Sequence, residues 1–278
     1  MKNLKYTRRK LTQKVMFFLS VVSAFIGIAM LFLILGYIIY KGGHGINLDF
    51  FTKLPTPVGV PGGGMVNALI GSTYLIGLAS LLSIPVGILI GVYLSEFGRG
   101  AFASAVRFVS ETLTGVPAIV MGIFAYSIVV IPMGRFSALA GAFALSLLML
   151  PIIVKSTEEL LKMVPNDLRE ASLALGIPRW KTILKVVLST AKSGVITGIM
   201  LAIARVGGEA APLLFTAFGN SFMNWRPDQP IASLPVQIYV YASSPYEDWH
   251  QKAWAAALVL MGIVLITNII ARVYARKK

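Results

Sequence analysis

Apolar runs close to the length of a bilayer crossing recur along this sequence, and they constrain its fold more than any motif does. A hydrocarbon core of about 30 Å takes ~20 residues of helix, and a helix satisfies its backbone polar groups where no water is available to do so. Runs at 15–40, 66–94, 108–131, 137–154, 193–218 and 253–273 therefore predict six transmembrane helices. The rest of the composition agrees. Of the 278 residues 56% are apolar and only 13% are charged, against about a quarter in an average globular domain. The expectation is an all-α integral membrane protein: a basic tail at 1–14, then one transmembrane domain over 15–278 with its longest polar interruption at 155–192.

The net charge of +14 suggests a nucleic-acid partner until its distribution is read. With the N-terminus inside, one side receives Lys2, Lys5, Arg8, Arg9, Lys10, Lys14, Arg99 and Arg107. The same side receives Lys155, Lys162, Arg169, Arg179, Lys181, Lys185, Lys192, Arg272, Arg276, Lys277 and Lys278. The other receives Lys41, Lys53, Arg135, Arg226 and Lys252. Such asymmetry orients spans with their basic loops in the cytoplasm, so topology accounts for the charge, both termini are expected to be cytoplasmic, and no nucleic acid is required. The first run is too long for a signal peptide and no small-residue cleavage site follows it; it reads as an uncleaved anchor. Gly71, Gly77, Gly87 and Gly91 mark the second run as a close-packing helix. Gly115 and Pro117 place a break near the inner end of the third.

Catalytic apparatus is missing. There is no cysteine for a disulfide, a thiolate metal site or a nucleophile. No G-x-x-x-x-G-K-[ST], H-E-x-x-H or G-x-S-x-G occurs, and Gly62–Gly64 reads as a loop. His44 and His250, the only histidines, fall in different outer loops and make no metal pair.

Two features remain. Arg205 lies well inside the fifth run, about 20 Å along the helix from Lys192 at its inner boundary and past the midplane. A central arginine costs at least about 2.5–3.5 kcal/mol, so a polar interior is expected around it. Glu209 would lie one turn on, on the same face, with Gly207 and Gly208 between them suggesting close backbone approach. The pair reads equally as a structural ion pair or as a substrate contact, since a guanidinium fork suits oxyanions. The second feature is VPNDLREASLALGIP, residues 164–178. Asp167 and Glu170 have capping-box spacing, Gly176 supplies a left-handed stop, and Pro178 bars continuation. A two-turn helix at Leu168–Leu175 is expected, exposed between spans to touch a partner protein, or else to set Arg169, Arg179, Trp180 and Lys181 against anionic lipid headgroups.

Glu170-Ala171-Ser172-Leu173-Ala174-Leu175-Gly176 resembles the E-A-A-x-x-x-G signature of ABC-importer permeases, with Val186-Val187-Leu188-Ser189 standing where that family has I-x-L-P. Four further stretches resemble the PstA-type permeases of phosphate importers. They are Gly62-Gly63-Gly64 into Val66-Asn67-Ala68, Ile84-Pro85-Val86-Gly87 ending in Tyr93-Leu94-Ser95-Glu96, Gly115-Val116-Pro117-Ala118-Ile119-Val120, and Ala204-Arg205-Val206-Gly207-Gly208-Glu209-Ala210-Ala211-Pro212-Leu213-Leu214-Phe215-Thr216. The resemblance implies a MetI-like six-span permease subunit carrying inorganic phosphate into a prokaryotic cell across its cytoplasmic membrane. It implies no enzymatic activity and no cofactor in this chain, with ATP and Mg used by a partner ATPase. Asp167, Leu168, Arg169, Glu170, Ala171, Ser172, Leu173, Ala174, Leu175 and Gly176 become the coupling helix, and Arg205 and Glu209 the substrate path. The implied partners are a PstC-type permease, an ATPase dimer and an extracytoplasmic phosphate-binding protein. The competing expectations are the same machine for phosphonate, sulfate or molybdate, and an ion-coupled secondary transporter, whose inverted repeats are not apparent.

Overall fold

The computed structural model describes residues 2–60 and 62–276; Lys277 and Lys278, counted above with the basic side, lie outside them. Among the described residues every regular element is a helix. They are α1 (Lys2–Gly43), α2 (Leu48–Thr52), α3 (Val66–Glu96), α4 (Ala101–Gly115) and α5 (Ala118–Met133), then α6 (Ala138–Lys162) and α7 (Asn166–Ala174). The chain continues through α8 (Arg179–Val206), α9 (Ala211–Leu214), α10 (Leu234–Ala242) and α11 (Glu247–Arg276). Five helices are long and apolar enough to cross a membrane, or six if the bent pair α4–α5 is one span.

α6 is the central helix. Most of it is buried, whereas α1 is exposed along its length and packs against α11, with Tyr37 edge-on to Trp254 at 5.2 Å between ring centroids. The tightest pairing is α3 with α6, and glycine makes it possible. A Cβ on Gly87 would come within 2.8 Å of the Ile153 side chain, and one on Gly91 within 2.6 Å of Thr157. Small residues let backbones approach where the hydrophobic effect gives helices no reason to associate.

Three expected boundaries move. The polar segment 155–192 is mostly helix: α6 runs on to Lys162 and α8 begins at Arg179. Hydropathy stops a span at its first charges, but Glu and Lys are good helix formers, and Glu158 and Lys162, one turn apart, bridge at 2.5 Å. The third run is a corner. α4 and α5 meet at 109°, because Pro117 has no amide hydrogen to give and holds Val116 in extended backbone. The fifth helix stops at Val206 instead of reaching 218, since the Gly207–Gly208 pair is poor in helix propensity and Pro212 follows. Just before Ser189, which stands where the importer signature has proline, α8 carries a wide π turn at Ile183–Val187.

The α3–α6 seam yields a stability test. Gly91→Leu is expected to destabilise by about 1–3 kcal/mol through overpacking, whereas Gly77→Ala, which meets nothing within 4 Å, leaves stability unchanged. Thermal unfolding of the purified variants in detergent reads both.

Candidate functional site

α7 starts two residues before the expected Leu168. Pro165 stands at its N-cap in extended backbone, and no side chain caps the helix. The capping box is therefore not formed; Asp167 sits in the first turn, where a carboxylate offsets the positive end of the helix dipole. The other end closes as its sequence requires. Gly176 takes φ 74°, its N–H donates to the Leu173 carbonyl at 2.9 Å, and the N–H of Ile177 donates to the Ser172 carbonyl at 3.3 Å. That is the paired bonding of a Schellman stop, which a Cβ would strain. Pro178 then serves as the N-cap of α8.

Two inward residues fasten this helix to the body. The Arg169 side chain is 18% exposed and its partner Glu96, the last residue of α3, only 7%. Arg169 Nη2 donates to Glu96 Oε1 at 2.7 Å and Nε to the same oxygen at 3.2 Å. Its remaining donors take backbone carbonyls at the end of α6, Leu161 at 2.8 Å and Val164 at 2.5 Å. From the other side of the Gly176 turn, Arg179 Nη2 donates to the Glu96 carbonyl at 2.8 Å and its guanidinium lies over the Phe97 ring. Ser172 and Thr182 hydroxyls share a buried hydrogen bond at 2.9 Å. Arg169 is thus a clamp and not a lipid contact.

Asp167, Leu168, Glu170, Ala171, Leu173, Ala174, Leu175 and Gly176 all face outward. Leu168, Leu173 and Leu175 join Met163 and Trp180 as exposed large apolar side chains at this end of the molecule. A patch of that kind on an ordered helix marks a protein contact.

Arg205 lies deeper. α8 runs against α6 with Gly194 on Leu160 and Gly198 on Ser156. Continuing that antiparallel register puts Arg205 level with Met149, near the middle of the 25-residue α6. Ala191, Val195, Gly198, Ala202 and Val206 form the buried stripe of α8, while Leu201 and Arg205, along its border, are exposed. Glu209 lies past the helix end, its N–H bonded to the Val206 carbonyl, and no ion pair joins it to Arg205. Nor does Gly208 serve close approach, since a Cβ on it meets nothing within 4 Å. Beyond them α9 packs on α5, where a Cβ on Gly122 would come within 2.6 Å of Pro212 Cα. The following turn places Phe218 at φ 62°, its ring stacked on Phe136 at 4.9 Å.

Sequence reasoning missed Glu96 as the partner of Arg169; the two stand 73 residues apart and nothing local links them. It also missed Arg107, which donates to Glu158 at 2.6 Å and to the carbonyl of Leu94 at 2.9 Å.

A short fastened helix with an open face thus stands at one end of a multi-span bundle that carries an exposed arginine near its middle. Over residues 83–278 the chain matches the family described as binding-protein-dependent transport system inner membrane component. Its fold is that of the MetNI methionine ABC transporter in an inward-facing crystal form, with a TM-score of 0.60 at 18% identity, covering 76% of this chain and 92% of that one. It is 46% identical over 277 residues to the phosphate transport system permease protein PstA of Haemophilus influenzae, covering 99% of this chain and 98% of the relative. To PstA of Yersinia pestis it is 44% identical over 276 residues, covering 99% and 94%. The chain belongs to the PstA family of inner-membrane permeases.

The closed end of α7 gives a direct test. Gly176→Val is expected to cost about 1–2 kcal/mol in the left-handed position and to loosen the turn. Limited trypsin digestion of the detergent-solubilised protein should then cut at Arg179 and Lys181 several-fold faster than in the wild type.

Proposed function

We propose that this chain is the permease subunit of an ATP-driven importer of inorganic phosphate. The observation that carries the reading is α7: held from behind by Arg169 and Ser172, it presents Ala171, Ala174 and exposed leucines to an absent partner. A separate ATPase dimer, which binds the ATP and Mg, docks there. The basic end faces the cytoplasm with both termini, as the positive-inside rule requires. No cofactor is held by this chain.

Phosphate is the cargo of the relatives by name, and Arg205 suits it chemically. A guanidinium near the middle of the bundle never loses its proton, and it donates two parallel hydrogen bonds to an oxyanion. Its exposure on the single chain fits a pathway shared with a second, PstC-type permease, which would keep it out of lipid. One arginine, and not a cage of them, binds phosphate weakly enough to release it. Glu209, which makes no ion pair with Arg205, borders the same turn of the path and does not hold the guanidinium. An extracytoplasmic binding protein delivers the phosphate at the opposite face.

Two outcomes test the reading. Arg205→Gln removes one charged hydrogen-bond partner and should lower phosphate uptake by membrane vesicles about 10–100-fold, while the complex with the ATPase still co-purifies. Because the chain has no native cysteine, a single cysteine at Ala171 or Ala174 should cross-link to a nucleotide hydrolase in intact cells. Cross-links confined to lipid, or uptake untouched by Arg205→Gln, would overturn the corresponding half of the proposal.

A further inference from the structure

We infer that Glu96 is the positioning residue through which movement of α7 reaches the transport path, by way of α3. The inference rests on the ATPase-driven reading above. Chain connectivity alone joins α7 to α6 before it and to α8 after it, and touches α3 at neither end. Among the described residues the polar tie between α7 and α3 is Arg169 on Glu96. That tie fixes orientation as well as distance. Nε and Nη2 of one planar group both reach the carboxylate, and Nη1 and Nη2 anchor the same group to carbonyls at the end of α6. The Glu96 main chain is gripped independently by Arg179. The tip of α3 therefore cannot stay behind when the α7 turn moves.

α3 then leads toward Arg205. It runs without interruption from Glu96 back to Val66, passing through Pro85. Its Ile76 side chain is the nearest neighbour from another helix to a Cβ built on Gly207, at 3.8 Å. Gly207 opens the turn that ends α8 two residues after Arg205. From Glu96 to Ile76 the helix spans about 30 Å. A displacement at the surface is thus carried toward the mid-depth arginine by one continuous helix, seated against α6 at Gly87 and Gly91 and with Pro85 between that seam and Ile76. Coupling between distant sites needs a physical element that both ends bias, and α3 with Glu96 at its end meets that requirement.

The test uses the whole complex, with the ATPase, the second permease and the binding protein, reconstituted in liposomes. It reads phosphate transported per ATP hydrolysed. Glu96→Gln keeps the shape and removes the charge, and the ratio should fall about tenfold or more. The pairwise exchange Glu96→Arg with Arg169→Glu should return the ratio to within about threefold of wild type, with each single exchange remaining uncoupled. A merely structural role lowers uptake and hydrolysis together and leaves their ratio unchanged; that result overturns the inference, as does a wild-type ratio in Glu96→Gln. Restored assembly without a restored ratio in the exchanged pair overturns it too. If the wild-type chain brings down no ATPase, the functional reading fails first and the inference with it.

Discussion

A guanidinium and a carboxylate withdrawn from water at a helix junction set the terms for this molecule. Losing most of its water costs each ion several kcal/mol, and only close, multiple hydrogen bonding offsets that. Arg169 and Glu96 meet the condition with help, because Arg169 also takes the Leu161 carbonyl in the last turn of α6 and the Val164 carbonyl just beyond it. Arg107 does the same for the end of α3, with Glu158 as its counter-ion. Arg179 takes the last carbonyl of α3. α3 and α6 both finish at this end, so it gathers the negative poles of two helix dipoles. Three of the arginines that topology places there, Arg107, Arg169 and Arg179, are consequently engaged in closing helices. The same residues that orient the chain in a membrane also weld its helix ends together.

The middle of the bundle obeys the opposite rule. Arg205 is left without an ion-pair partner among the described residues, exposed at the border of the packed stripe of its helix. A charge at that depth facing hydrocarbon is costly, and nothing in this chain covers it. α1 poses a milder version of the same problem, with none of its apolar span buried in this chain. A chain that welds one end and leaves a bare cation in the centre is one part of a larger object, and the bare side is where the rest belongs.

The sequence disclosed much of this, for identifiable reasons. The all-α membrane class followed from apolar run length, which is a local property, whereas the third of the six expected runs is a corner. The closed C-terminus of α7 followed from Gly176, whose φ of 74° favours glycine. What failed was reading a boundary from hydropathy or spacing alone. Glu209 has the spacing of a helical partner for Arg205, but two glycines end the helix between them, and backbone propensity overrides the pattern. Asp167 has the spacing of a cap, but Pro165 starts the helix earlier. Long-range partners were invisible in principle. Glu96 lies in a stretch whose resemblance to a family could be quoted, yet its ion pair with Arg169 exists only once α3 and α6 have packed and brought their ends together.

Stiffness and weakness are distributed unevenly, and that distribution limits how the bundle can move. α3 and α6 touch through glycines that meet side chains at van der Waals limits, so sliding one past the other would force atoms into overlap. They move together or not at all. The places that can absorb a change of angle are the corner at Val116–Pro117, where two helices meet at 109°, and the Gly207–Gly208 turn. The packing of α5 on α9, Gly122 against Pro212, connects the two. The wide π turns at Tyr126–Val130 and Ile183–Val187 add local slack to the helices that carry these breaks. A rigid pair with its lever at one end, bordered by hinges level with the arginine, converts a shift at the surface into a change of surroundings at mid-depth. Were the glycines of the seam and of the turn exchanged in role, the same push would be lost in sliding before it reached Arg205.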